Sequence, residues 1–314
     1  MIINLREITL QYSNHILFEN LSVEFYSGKL NTLLGKSGIG KTSILKIIAG
    51  IETNYTGEVY FDDINVTNLS IKDRSVGWVP QQQLLFPSMN VYKNVEYGLL
   101  SKKLSRERRK SMILEISELT GINHLLDRNI EKLSGGEKQR VALTRSLILK
   151  PRVLLMDEPF SSLDTPERKK LSLLLKDIQL ETGITTIHVT HSSMEAELIS
   201  DYLYILSDQM IIQQGSPMHI SNRPFNTEVA RIMNLSNVIT KGSIEGILSD
   251  VIIPTDAIKL SQNGIAAKVI SQTRETIHLR LMDGTLLEMN NNSPVKLGEL
   301  VFIELDPDRF YKFR

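Results

Sequence analysis

The chain is predicted to be an α/β protein with a largely parallel sheet, an inserted helical segment and a small β-rich domain after it. Three observations predict this. Short apolar strands alternate with amphipathic helices as far as about Leu235. The first of those strands runs into Gly35-Lys36-Ser37-Gly38-Ile39-Gly40-Lys41-Thr42, which fits G-x-x-x-x-G-K-[ST] in full. Beyond Leu235 the pattern changes to short alternating segments separated by turn residues.

Leu30 to Leu34 is a short apolar run ending at Gly35 and reads as a buried strand entering a turn. From Thr42 to Ala49, Ile44, Leu45, Ile47 and Ile48 share one helical face, and Gly50 is a stop signal. Ser75 to Val79 reads as a strand with Pro80-Gln81 at its end. Ser105 to Thr120 has helical spacing at Met112, Ile113, Ile116 and Leu119 and closes at Gly121. Ser134-Gly135-Gly136-Glu137 is a capping box that opens a helix through Val141, Leu143, Leu147 and Ile148, with Pro151 as its stop. Val153 to Met156 is a buried strand. Thr165-Pro166 starts a helix with Leu171, Leu174, Leu175 and Ile178 as its stripe. Thr185 to Thr190 is a strand ending at His191, and Ser192 to Glu195 caps the next helix. The mostly helical stretch 89–150 reads as a subdomain inserted in domain 1–235. Domain 236–314 carries expected strands at 251–253, 266–270, 276–282, 285–289 and 300–305, with Asp283-Gly284 as a hairpin turn.

Composition limits the function classes. With 314 residues the chain suits two domains, and an apolar content of 41% can fill a core in each. Lys+Arg and Asp+Glu both number 36, so no basic surplus supports a nucleic-acid partner. Without cysteine there are no disulfides or thiolate metal sites. No apolar run approaches the roughly 20 residues that span a bilayer, so a membrane role needs another chain to do the spanning.

Gly35, Gln81, Asp157 and His191 all fall at the C-terminal ends of expected strands, where parallel sheets collect ligands. In the loop Gly35 to Thr42, glycine lets backbone N–H groups turn around phosphate oxygens, and the following helix adds its positive end. Lys41 suits β and γ phosphates, and the Thr42 hydroxyl, with Ser43 beside it, suits a bound Mg²⁺. Asp157 is the acidic residue expected on that ion. The plain structural alternative, an ordinary glycine turn and a solvated strand end, fits either segment alone but fits the pair poorly.

With Leu133-Ser134-Gly135-Gly136-Glu137-Lys138-Gln139-Arg140 after the phosphate loop and Leu154-Leu155-Met156-Asp157-Glu158-Pro159 after that, the chain resembles the ATP-binding cassette family over about its first three quarters. The resemblance implies a phosphate-loop NTPase cassette that binds ATP and Mg²⁺. It implies Glu158 as the carboxylate that polarises the attacking water, and Gln81 as a contact of Mg²⁺ or that water. Gln82 and Gln83 follow it, and Pro80 stands where the family more often has an aromatic residue. His191 resembles the histidine that contacts the γ-phosphate. Ser134, Gly135, Gly136 and Glu137 resemble the signature that receives ATP held by a second copy of the chain. Ser161-Ser162-Leu163-Asp164 matches the dimer-interface loop, with Asp164 its key residue, and Tyr12 stands where an aromatic ring stacks on adenine.

The resemblance further implies an importer subunit, peripheral at the cytoplasmic face of the inner membrane. Its expected partners are a second copy, integral membrane permease subunits contacted through 81–98 and, indirectly, a solute-binding protein. The tail resembles the small β domain called TOBE or MOP-like, found on importers of oxyanions, sugars, polyamines and ferric iron. One short module points toward molybdate or tungstate and a possible anion ligand there, although Ser261-Gln262-Asn263 matches the molybdate module poorly. The rival class is a cassette ATPase acting on ribosomes or DNA. One cassette rather than two, a short gap without heptads, and zero net charge stand against it.

Overall fold

The computed structural model describes residues 1–12, 15–244, 247–292 and 295–313. The chain divides into two compact units, Met1–Met218 and His219–Arg314.

The first unit runs through β1 (Ile3–Tyr12), β2 (His15–Phe25), β3 (Leu30–Leu34), α1 (Lys41–Ala49), β4 (Tyr55–Phe61), β5 (Ile64–Asn65) and β6 (Val76–Val79). It continues with α2 (Val91–Glu96), α3 (Arg106–Leu119), α4 (Gly135–Leu147), β7 (Val153–Asp157), α5 (Thr165–Thr182) and β8 (Thr185–Thr190). The unit closes with α6 (Ser193–Ile199), β9 (Tyr202–Ser207) and β10 (Met210–Gly215). Strands β9, β3, β8, β7 and β6 lie side by side in that order, all parallel, and β10 adds antiparallel at the β9 edge. Every residue of β3, β7 and β8 is buried, polar ones such as Asn31, Thr32 and His188 included, as central parallel strands covered on both faces must be.

Two layers provide that cover. On one face α1 packs Ile44, Leu45 and Ile48 into a core shared with a four-stranded sheet, order β2-β1-β4-β5. On the other face α4 and α5 bury Leu143, Leu147, Leu171 and Leu175 against Leu154 and Met156. The β2-β1-β4-β5 sheet has no counterpart among the sequence expectations. Its β1–β2 ladder shifts register between Leu5 and Ile8, Ile8 and Leu10, and Leu10 and Gln11. Each shift interrupts the two-residue alternation by which a strand is read from sequence.

Helices α2, α3 and α4 enclose their own core around Val95, Leu99, Ile113, Leu125 and Val141. Asn94, 0% exposed, organises the approach to it. Its Oδ1 accepts from the Phe86 N–H at 2.9 Å, and its Nδ2 donates to the carbonyls of Phe86, Met89 and Asn90. A buried amide that satisfies four backbone bonds fixes a segment that has no ladder of its own.

In the second unit the division falls upstream of the composition change at Leu235. Helix α7 (Pro217–Asn222) spans it, and α8 (Thr227–Ile232) packs on β11 (Val238–Ile239). The Tyr311 hydroxyl donates to the Pro224 carbonyl at 3.1 Å, which ties this helical entry to the end of the chain. The rest is β12 (Val251–Ile252), β13 (Ile258–Ser261), β14 (Ile265–Gln272), β15 (Thr276–Leu281), β16 (Leu286–Asn290), β17 (Leu300–Leu305) and β18 (Tyr311–Lys312). They form antiparallel sheets ordered β13-β17-β14-β15-β16 and β11-β12-β18 around one core that includes Val251, Val269, Leu279, Leu287 and Ile303. The hairpin at Asp283-Gly284 joins β15 to β16, with Gly284 at φ 91°.

Candidate nucleotide site

In the six-stranded sheet β3, β8, β7 and β6 are consecutive neighbours. Their C-terminal ends lead into Gly35, His191, Asp157-Glu158 and Gln81, so residues far apart in the chain meet along one sheet edge.

Residues Gly35 to Gly40 form the turn between β3 and α1. Gly38 and Gly40 have φ of 81° and 106°, which L side chains rarely adopt. A Cβ on Gly40 would also lie 2.4 Å from the Phe18 ring. Gly40→Ala is therefore expected to cost more than about 1 kcal/mol of stability and to weaken ATP binding. Thermal melting and a nucleotide titration measure both. Lys36, Ser37 and Ile39 lie on the same turn, and Ser43 follows Thr42 on α1. Lys41 is 4% exposed. Its Nζ donates to the carbonyls of Gly35 at 2.8 Å and Lys36 at 2.9 Å and lies 3.7 Å from Glu158 Oε1. Burial pushes the Lys41 ammonium below its ordinary value, and the Glu158 carboxylate opposes that. An ammonium folded onto loop carbonyls at the mouth of a helix is placed to receive a phosphate.

Thr42 Oγ1 donates to Asp157 Oδ1 at 2.7 Å. Burial raises the Asp157 carboxyl, and the Thr42 bond opposes it. A cation beside this pair would restore the ionised form. Among the described residues no group of three or more His, Cys, Asp and Glu could hold a metal. Thr42, Asp157 and Gln81 instead suit Mg²⁺, which takes few protein ligands when phosphate oxygens complete its shell.

Glu158 has a left-handed backbone, φ 43°, held by its N–H on the Val189 carbonyl at 3.0 Å. Strain of this kind concentrates where a side chain must be aimed. Its Oε2 lies 3.0 Å from His191 Nδ1. The Ser161 hydroxyl donates to the Glu158 carbonyl at 2.9 Å and receives Gln81 Nε2 at 3.5 Å. The Gln81 amide therefore reaches the residue that is bonded to Glu158.

Ser134 to Glu137 form a second locus. The capping box is complete: the Glu137 N–H donates to Ser134 Oγ at 3.2 Å, and the Ser134 N–H to Glu137 Oε2 at 2.8 Å. A Cβ on Gly135 would lie 3.2 Å from Leu163, and one on Gly136 2.1 Å from Glu167 Oε1. Asp164 caps α5, accepting from the Glu167 N–H at 2.9 Å. A cavity of about 480 Å³ joins Gly136 and Glu137 to Asp164, with Arg140 and Lys170 beside them. Among the described residues no hydrogen bond or ion pair links Ser134–Glu137 to Lys41, Thr42 or Asp157. One chain thus displays two helix N-termini, at Lys41 and at Gly135, that are not bonded to each other among the described residues.

Tyr12 lies at the edge of the first locus, where Ser43 of α1 hydrogen-bonds its side chain. It is 43% exposed, and its hydroxyl donates to Glu52 Oε2 at 2.7 Å, which raises the phenol above its ordinary value. Glu52, Ser161 and Phe18 are site neighbours that sequence reasoning missed. No local pattern marks the first or the last, whereas Ser161 lay inside a motif already singled out.

A family model described as "ABC transporter" matches residues 18–161. The chain is 42% identical over 236 residues to the Fe(3+) ions import ATP-binding protein FbpC of Fusobacterium nucleatum, covering 75% of this chain and 63% of that protein. It is 32% identical to the spermidine/putrescine import ATP-binding protein PotA of Clostridioides difficile, over 100% of this chain and 98% of that one. The chain belongs to the ATP-binding cassette transporter family. A dimeric post-hydrolysis structure of the ATP-binding cassette MJ0796, bound to ADP and Pi, superposes with a TM-score of 0.60 at 28% identity. It covers 68% of this chain and 98% of that one. The family match ends at residue 161, so the second unit lies outside it.

As an ATP-binding cassette, the chain uses ATP and Mg²⁺, and ATP hydrolysis is its chemistry. Mg²⁺, when bound, neutralises charge on the phosphate oxygens.

Proposed function

We propose that this chain is the ATP-hydrolysing subunit of an importer, in which two copies close head-to-tail on ATP. One observation carries the reading: the Lys41, Thr42, Asp157 and Glu158 cluster and the Ser134–Glu137 helix end are two separate loci, with no hydrogen bond or ion pair between them among the described residues. A second copy turned end to end would supply the missing half of each site. In that arrangement the loop from Gly35 to Thr42 holds the β and γ phosphates, and Glu158 orients and deprotonates the attacking water. His191 and Gln81 face the γ-phosphate and its ion, the partner's signature covers the phosphate from the opposite side, and Tyr12 stacks on adenine.

No helix among the described residues is long and apolar enough to cross a membrane. The reading therefore includes separate membrane permease subunits at the cytoplasmic face and, through them, a solute-binding protein. The exposed edges of Leu84, Tyr97 and Leu100 suit a permease segment. The favoured solute is a polyamine, because a relative that aligns over the whole chain, tail included, is named for spermidine/putrescine import. Ferric iron is second, supported by a relative aligned over 75% of the chain. Molybdate and tungstate gain no support from these relatives.

Uptake tests the reading. In a strain lacking the gene, the native chain is expected to restore accumulation of labelled putrescine or spermidine, and Lys41→Ala to fail. Restored uptake of ferric iron or molybdate instead would change the solute, and restoration of none would sink the transport reading. Calorimetry of the full chain with molybdate, tungstate, sulfate and phosphate tests the tail as an anion sensor. The absence of heat with all four removes that role.

A further inference from the structure

The turn that carries His191 is anchored by a buried carboxylate. Thr190 precedes His191 and Ser192 follows it. The Thr190 hydroxyl donates to Glu195 Oε2 at 3.0 Å. The Ser192 N–H donates to Thr190 Oγ1 at 3.0 Å, and the Glu195 N–H donates to Ser192 Oγ at 3.3 Å. These bonds close a ring through 190, 192 and 195 that leaves the His191 imidazole outside it, 3.0 Å from Glu158 Oε2.

Capping alone does not explain Glu195. Ser192 already caps α6, and a cap needs no buried charge. Glu195 is 5% exposed, and burying a carboxylate is costly unless it is well paired. Its Oε1 lies 2.8 Å from Nε2 of His188, which is fully buried, although the two are poorly aligned for a hydrogen bond. Burial alone would raise the carboxyl. Attraction to His188 at this close approach, the hydrogen bond from Thr190, and the Arg168 charge hold it below its ordinary value. Arg168 lines the same cavity of about 360 Å³ as Ser192 and Glu195, and its guanidinium donates to the Leu163 carbonyl at 3.0 Å. Arg168 is thus bonded to the loop ending at Asp164 and acts on Glu195 through its charge across that cavity.

We propose that Glu195 is a positioning residue for His191, acting through Thr190 to hold the imidazole against Glu158 and in line with the transferred phosphate. The inference rests on the reading of His191 as a phosphate contact.

Steady-state ATPase kinetics of the full chain tests it. Thr190→Val keeps the shape and removes both hydroxyl bonds. This variant and Glu195→Ala are each expected to lower kcat at least about fivefold with KM for ATP within about twofold. Glu195→Gln keeps an oxygen for Thr190 and is expected to recover most of the loss seen in Glu195→Ala. On a His191→Ala background, Thr190→Val or Glu195→Ala is expected to add less than about a twofold loss, because each acts through a side chain already removed. Native-like kcat in both single variants, with His191→Ala impaired, would overturn the inference. So would the same fold loss on both backgrounds, which is what a merely structural role produces. Unchanged turnover in His191→Ala would overturn the reading of His191 and this inference with it. Should Glu195→Ala fail to fold, the cycle of Thr190→Val with His191→Ala separates the same outcomes.

Discussion

Glu158→Gln is expected to lower ATP turnover by about 10²–10⁴-fold, the range that a positioned general base contributes. Glutamine has the shape of glutamate, so Oε1 keeps an oxygen near Lys41 Nζ, 3.7 Å away in the native chain, and the left-handed backbone at φ 43° is undisturbed. What is lost is the charge that draws a proton from water. The groups assigned to ATP itself, Lys41 and Thr42, are untouched, so ATP affinity is expected to stay within about threefold. Binding without turnover should trap the closed state. Size-exclusion chromatography with ATP and Mg²⁺ is expected to show a dimer that the native chain forms only transiently. Turnover near the native rate would remove Glu158 from its assigned role.

Mixing two inactive variants is the second large effect expected. Lys41→Ala removes the ammonium that now rests on the Gly35 and Lys36 carbonyls. Ser134→Arg deletes the hydroxyl that caps α4 and places a bulky cation at the helix end where an anion is expected. Alone, each variant carries the same lesion in both sites of a head-to-tail dimer and is expected to be inactive. In a mixed dimer both lesions fall in one site, and the other is built from an intact phosphate loop and an intact signature. The mixed population is therefore expected to regain activity, up to about a quarter of the native rate if pairing is random and sites act independently. Proven hetero-dimers without activity would count against a site shared between copies.

Sequence alone determined the parts of this protein whose chemistry is local. Gly35 to Thr42 is legible because a phosphate loop needs glycine at fixed offsets before a helix start, and Gly38 and Gly40 do take positive φ. The box at Ser134 and Glu137 is legible for a similar reason: both of its bonds are made within four residues, and both are present. The alternation of short strands with amphipathic helices announced a parallel sheet, and β3, β7 and β8 are buried along their whole length.

Tertiary structure decided everything that depends on neighbours across the chain. The bulged β1–β2 ladder gave no periodic signal, and its place beside α1 follows from packing. The order β3-β8-β7-β6, not any spacing, puts Thr42 within 2.7 Å of Asp157 and His191 within 3.0 Å of Glu158. Likewise, Glu195 reads in sequence as one more residue of a helix start. Only the folded structure shows it buried beside His188, with a carboxylate oxygen accepting from the Thr190 hydroxyl next to His191. The physical reason is common to all of these. Capping and loop geometry are satisfied within a few residues and leave a local trace, whereas desolvation and side-chain pairing depend on partners that only the folded sheet brings together.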